Sequence, residues 1–240
     1  QSPAAFEDTA SARRFFGEDM RLSPSRVEQY HQCRFAYFCR YGLNARPRRP
    51  AELDAIEFGT LAHYVMEHLL PGYTDSGFER VHRAQVTADV DRTVNDYVDE
   101  FMGGTQEKPH RFLYLLERLK ALCGRLMWQV VRELRQSRFV PTDFELEIGS
   151  LSPDATERID PIVLTLPDGG RVRVQGKVDR VDVYQEDGVS YVRIIDYKTG
   201  SKQFRLSDVV EGINLQMLIY MMSIWQNGEK RYGPVRPAGL

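Results

Sequence analysis

Two short runs hold the residues best suited to chemistry. Gly176-Lys177-Val178-Asp179-Arg180-Val181-Asp182 comes first, and Ile194-Ile195-Asp196-Tyr197-Lys198-Thr199-Gly200 follows it. Both have strand composition, and strand side chains alternate between faces, so Asp196 and Lys198 are expected on one face. A carboxylate and an ammonium at the end of an otherwise apolar strand are costly to bury without a purpose. A hairpin between the runs brings Asp179 near Asp196. Two carboxylates suit a hard divalent cation such as Mg²⁺ or Mn²⁺, which takes oxygen ligands and keeps several waters. A cation so held activates water and offsets charge on a phosphate, while the lysine helps orient the water and stabilise the transition state. The plainer reading of a lone Asp-x-Lys pair is a surface salt bridge. Against it stands the ordered company of Gln216 and Tyr220, one turn apart on the next expected helix.

The elements that must position these residues can be read from periodicity. Capping chemistry at Ser23-Pro24, or at Ser25 with Glu28, starts a helix that carries Val27, Tyr30, Cys33, Tyr37 and Phe38 up to Gly42. A second helix is expected from about Ile56 through Leu70, ended by Pro71-Gly72, a third over about Phe78 to Phe101, and a fourth over about Arg111 to Gln136. From Pro141 the period shortens. Phe144–Leu151, Ile159–Leu166, Arg171–Tyr184 and Tyr191–Lys198 read as strands, with hairpins at Pro167-Asp168-Gly169-Gly170 and Glu186-Asp187-Gly188. That pattern predicts an antiparallel meander. Ser207-Asp208 then caps a helix to about Gln226, apolar almost all round and so packed across the sheet. No internal repeat or low-complexity segment interrupts the chain.

Composition sets the outer bounds. The chain has 240 residues, enough for a full core, with 32 Lys+Arg against 34 Asp+Glu for a net charge of −2. That balance gives no global sign of a nucleic-acid partner, so any such surface must be local. No stretch approaches the roughly 20 apolar residues of a membrane span, and the first ten residues lack the marks of a signal peptide. Three cysteines exclude a disulfide scaffold and favour a reducing compartment. Between Arg34 and Pro50 lie Arg34, Arg40, Arg46, Arg48 and Arg49 with no acid, interleaved with Phe35, Tyr37, Phe38 and Tyr41. This strip reads as a track for a DNA backbone, or as a solvated arm that docks on a partner subunit. An ATP-driven motor fails on sequence, because Gly170 to Lys177 has the wrong spacing for a phosphate loop and lacks the following Ser/Thr. The chain does not begin with Met and ends in Val235-Arg236-Pro237-Ala238-Gly239-Leu240 with no obvious closing element, so it reads as part of something longer.

Gly-x-x-Asp-Arg-x-Asp, Asp-Tyr-Lys-Thr-Gly and Gln-x-x-x-Tyr in this order, with Gly59-Thr60-Leu61-Ala62-His63 upstream, resemble the PD-(D/E)XK nuclease superfamily. Within it they are most similar to RecB-like nuclease domains of the AddB type, over about Leu22 to the end. The resemblance implies an α+β fold: a restriction-endonuclease-like core, a mixed sheet with antiparallel meander and flanking helices, plus a large N-terminal helical portion. Residues 1–21 would be a poorly defined segment and 22–240 the nuclease domain, with 22–140 mainly helical and 141–240 sheet plus helix. It implies catalytic roles for Asp179, Asp196 and Lys198. The metal shell would be His63, Asp179, Asp196 and the backbone carbonyl of Tyr197. Glu145, Arg180, Gln216 and Tyr220 would bind DNA or support the site. Taken alone, His63 reads as a packed or surface histidine, and Gln216 and Tyr220 read equally as helix–sheet packing.

Cys33 lies in a segment similar to the one that supplies the first cysteine of a four-cysteine [4Fe–4S] site in these domains. Four thiolates are needed, and no cysteine follows Cys123, so this chain alone does not build the cluster. Cys39 and Cys123 read as buried apolar residues. The implied function is Mg²⁺- or Mn²⁺-dependent hydrolysis of single-stranded DNA from unwound duplex. It would take place within an AddAB-like helicase–nuclease of the bacterial cytoplasm that serves double-strand break repair, leaving 5′-phosphate and 3′-hydroxyl ends. The alternative is a catalytically inactive nuclease fold that binds DNA or acts as a scaffold.

Overall fold

The structure, a computed structural model, describes residues 8–45, 55–106, 108–149, 158–167, 169–197, 209, 211 and 215–240. It opens on α1 (Thr9–Phe16), capped by the Asp8 carboxylate, which accepts from the Ser11 amide at 2.6 Å. Strand β1 (Asp19–Leu22) follows, so two elements fall within the first 22 residues, where the sequence shows none. Helix α2 (Pro24–Gln32) starts at Ser23 as expected but stops at Cys33, which takes an extended conformation. The Cys33 Sγ accepts from the Ala36 amide at 3.4 Å and opens α3 (Arg34–Tyr37), which runs into a π-helical turn over Phe38–Gly42. The single helix read from the sequence is therefore three pieces.

Helix α4 (Ala55–Ser76) passes through Pro71 instead of ending there. Pro71 removes one donor, but Leu70 and Tyr73 around it are 0% and 4% exposed, and Thr74 and Ser76 return hydroxyls to the Leu70 and Gly72 carbonyls. Packing outweighs the local cost of a proline inside a helix. A single 3₁₀ turn (Phe78–Arg80) precedes α5 (Arg83–Met102), so the third helix starts later than its pattern suggests. Helix α6 (His110–Leu134) follows. Helices α4, α5 and α6 share one core in which Val86, Val90, Val94 and Val98 meet Met127 and Val131.

The strands form two sheets. The larger has the order β3-β2-β6-β7-β8, with β2 (Val140–Ile148), β3 (Arg158–Ile159), β6 (Gly176–Glu186), β7 (Val189–Ile195) and β8 (Val235–Gly239). Only β2-β6-β7 is antiparallel; β3 and β8 join the edges in parallel. The smaller sheet, β1-β5-β4, uses β4 (Val163–Thr165) and β5 (Arg171–Val174). Two of the expected strands are therefore each divided between sheets, Ile159–Leu166 as β3 and β4, Arg171–Tyr184 as β5 and β6. The Pro167–Gly170 hairpin belongs to the small sheet. The β6–β7 turn places Asp187 and Gly188 at φ 51° and 74°, the two positive values a two-residue type I′ turn needs.

Strand β7 ends at Ile195, short of the Lys198 end expected for it, so Asp196 lies just beyond the strand. Helix α7 (Gln216–Asn227) and α8 (Glu229–Tyr232) complete the elements, while Ser207-Asp208 lies outside the described residues. Tyr220, Met221 and Ile224 of α7 pack on Leu146, Ile148, Val178, Val181 and Val192, forming a second core. Met222 and Trp225 stay 48% and 58% exposed, so α7 is less uniformly buried than its composition suggests. Among the described residues, no helix is long and apolar enough to cross a membrane.

Candidate active site

Pairing in the large sheet carries three acids to one place. The pairs Phe144↔Arg180 and Leu146↔Val178 bracket Glu145 and Asp179, which therefore face each other across β2 and β6. Continued one step past its last pair, Arg180↔Ile195, the β6–β7 register sets Asp179 opposite Asp196. Strict alternation fails here. Val178 and Val181, three apart, both lie in the α7-side core, although a period of two would place them on opposite faces. Glu145 accommodates the same irregularity on β2 with φ 53°, a left-handed conformation that costs a non-glycine residue of order 1 kcal/mol.

His63 comes to this irregularity from α4. Its Nε2 donates to the Tyr197 carbonyl at 2.8 Å, and its Nδ1 faces Asp179 Oδ2 at 3.5 Å and Glu145 Oε1 at 3.8 Å. The Glu145 carboxylate raises the imidazole most, against burial and with help from Asp179 and the Tyr197 carbonyl, pushing it up to about 9. Asp179 is itself pushed up to about 6, chiefly by burial. The Tyr197 amide, donating to Asp179 Oδ2 at 2.7 Å, and His63 work in the other direction. Burial works to raise Glu145 as well, but His63 and Lys177 outweigh it and hold its carboxyl below the usual value. The Lys177 Nζ lies 2.7 Å from Glu145 Oε2.

Candidate ligand atoms of His63, Glu145 and Asp179 lie within 4.8 Å of one another. An octahedral ion of the Mg²⁺ class, with bonds near 2.1 Å, needs neighbouring donors about 3 Å apart. The His63 Nδ1–Asp179 Oδ2 separation of 3.5 Å is near that, while the Tyr197 carbonyl lies 2.8 Å from the other ring nitrogen, Nε2; two carboxylates, a carbonyl and an imidazole suit Mn²⁺ or Mg²⁺. Of the expected metal shell, His63, Asp179 and the Tyr197 carbonyl are together. Asp196 is outside this tight group; its Oδ1 accepts from Gln216 Nε2 at 2.9 Å. Glu145, expected only as a supporting acid, stands in the group instead. Lys198 lies outside the described residues.

Arg180 is 1% exposed. It donates to the Tyr197 hydroxyl at 2.8 Å and pairs with Asp182, which also holds Arg193. Tyr220 is 5% exposed, and its hydroxyl accepts from the Lys177 amide at 3.3 Å. A Cβ at Gly176 would fall 2.3 Å from that hydroxyl, so a glycine is required where α7 meets the strand. Lys177, Asp182, Arg193 and Glu133 are further residues of this neighbourhood with no role assigned from the sequence. Lys177 had a usable signal, since it lies two residues before Asp179 on one strand. Of the arginine strip, Arg34 and Arg40 lean on the rings of Tyr30 and Tyr41, and Arg46, Arg48 and Arg49 lie outside the described residues. Cys33 is exposed and Cys123 buried, whereas Cys39 is only half-buried and not the core residue expected.

Several relatives carry the same stretch. The chain is 32% identical over 230 residues to an ATP-dependent helicase/deoxyribonuclease subunit of Caldanaerobacter subterraneus, covering 95% of this chain and 19% of that protein. It is 33% identical over 232 residues to the protein of the same name from Alkaliphilus oremlandii, covering 95% and 20%. For that of Clostridium kluyveri the figures are 32% over 240 residues, 97% and 20%. The chain thus spans about a fifth of the length of these curated relatives. The profile of the PD-(D/E)XK nuclease superfamily matches residues 21–240, nearly the whole chain. With that match over nearly the whole chain, and relatives more than 30% identical over 95% of it, the chain belongs to the PD-(D/E)XK nuclease superfamily.

Proposed function

We propose that this chain is the nuclease domain of a helicase–nuclease complex and hydrolyses phosphodiester bonds of single-stranded DNA with Mg²⁺ or Mn²⁺. The observation that carries the reading is the convergence of His63, Glu145, Asp179 and the Tyr197 carbonyl where sheet alternation breaks. His63, Asp179 and the Tyr197 carbonyl would hold the ion, with Glu145 or Asp196 completing the shell. When bound, a divalent cation supplies Lewis acidity toward a phosphate oxygen and toward water. The chain's own residues do the rest. Gln216 donates to Asp196 and orients its carboxylate, and the Tyr197 amide fixes Asp179. Arg180, held by Asp182, steadies the Tyr197 ring from beneath. Lys198, two residues after Asp196, would stabilise charge on the phosphate.

The relatives are named as helicase/deoxyribonuclease subunits, which supports a helicase partner and a DNA substrate; a place in the bacterial cytoplasm belongs to the same proposal. In the longer protein, Cys33, exposed at the start of α3, would be the first ligand of the [4Fe–4S] site. In the full-length protein, Asp196→Ala and Lys198→Ala are expected to abolish Mg²⁺-dependent cleavage of single-stranded DNA without loss of assembly. Unchanged cleavage by either variant refutes the site. Absence of cleavage by the wild type, with DNA binding intact, supports the inactive-fold alternative.

A further inference from the structure

Helix α6 buries one side and exposes a charged stripe on the other. At 100° per residue, Phe112, Cys123, Met127 and Leu134 face the helical core. On the opposite side, Arg111, Tyr114, Arg118, Leu122, Arg125 and Arg132 fall within about 80° of arc. All six are exposed, Tyr114 at 63% and Leu122 at 38%. The four arginines recur every seven residues and span about 31 Å of helix. No described carboxylate lies within ion-pair distance of any of them. The two acids of the helix are engaged beside the stripe, Glu117 with Lys120 at 2.8 Å and Glu133 with Arg193 at 3.1 Å. The Glu133–Arg193 pair also ties the last turn of α6 to the sheet, in the network under Tyr197.

We propose that this face of α6 is a track for the backbone of single-stranded DNA, a conclusion that rests on DNA being the substrate. Four guanidiniums in line, none ion-paired with a described carboxylate, are complementary to a polyanion, and arginine grips phosphate bidentately. A straight row about 31 Å long suits a flexible single strand, which can follow it, better than the curved backbone of a duplex. Tyr114, with the Arg118 guanidinium 5.8 Å from its ring centroid, supplies a stacking surface for a base.

The test is binding of a long oligothymidylate by the full-length protein in EDTA, across a range of salt. Changing the four arginines to Gln is expected to weaken binding on the order of tenfold at low salt. It should also make the log Kd–log salt slope shallower by about 3, from about 0.7 for each phosphate no longer neutralised. Arg→Lys at the same positions keeps the slope, and thermal stability stays unchanged because all four side chains are exposed. An unchanged slope in the Gln variant overturns the proposal. So does an equal loss on an oligonucleotide too short to leave the active site, or a larger loss on duplex than on single strand. Loss of a protein partner with the slope intact assigns the face to a protein interface and also overturns it. If the wild type binds DNA with the full slope but never cleaves, the nuclease reading fails and this one stands.

Discussion

Gly176 shows how tightly the site is fitted around single atoms. An added Cβ would meet the Tyr220 hydroxyl at 2.3 Å and ring carbons at 2.5 and 2.7 Å. Gly176→Ala therefore has to shift α7 or the strand, and is expected to cost about 1–3 kcal/mol. Tyr220→Phe does not rescue it, because the ring carbons remain. Equilibrium urea unfolding checks both; a Gly176→Ala variant as stable as the wild type would remove the close-packing argument. The cysteines give a second test at this scale. Burial pushes the Cys123 thiol up to about 11, while Cys33 is exposed. In the 240-residue chain, which alone does not build the cluster, iodoacetamide should thus modify Cys33 in the native state and Cys123 only after unfolding, because the thiolate is the reactive form. Prompt native labelling at Cys123 would contradict its place in the core. Residue identity made Asp179 and Asp196 legible in the sequence, but not the left-handed Glu145, because a backbone conformation imposed by the facing strand leaves no local mark.

At the scale of elements, charge is buried where strands β6 and β7 meet helix α6. Asp182 is 0% exposed and holds both Arg180 and Arg193, and Arg193 reaches Glu133 of α6. Removing the shared acid leaves two guanidiniums without their buried partner. Asp182→Ala is expected to cost about 3–5 kcal/mol, whereas Arg180→Met with Asp182→Leu should recover most of it, since apolar replacement of a whole buried pair is nearly neutral. Urea unfolding of the two variants decides; equal losses in both would mean the network does not act as a unit. Helices α5 and α6 were readable from sequence because four-residue spacing such as Val86, Val90, Val94 and Val98 is a local signal. The strands were readable in place but not in partnership. Nothing near Asp19 announces that it pairs with Arg171, and nothing in Gln175 announces that β5 and β6 part into different sheets. Pro71 misled for the same reason, as the contacts that carry α4 past it come from distant residues.

For the whole molecule, the site spans a boundary between two cores. His63 belongs to α4, which is built into the helical core, while Glu145 and Asp179 ride on strands backed by α7. A ligand that needs donors from both sides stabilises their docking as well as each part. Ion at about 100 times its Kd adds roughly 2.7 kcal/mol to native stability. For a chain of this size that corresponds to an upward shift of roughly 5–10 °C in thermal midpoint. Saturating Mn²⁺ is therefore expected to raise the midpoint of the wild type as one cooperative transition. His63→Gln, which removes the helical donor, and Asp179→Asn, which removes the sheet donor, should each lose most of the shift. Lys177→Gln takes away the ammonium beside Glu145 and no donor atom, so it should keep the shift or enlarge it. Differential scanning calorimetry separates the outcomes. Equal shifts in all four proteins would place the ion elsewhere. Two resolved transitions, with only the sheet responding to Mn²⁺, would show that His63 does not share in holding it.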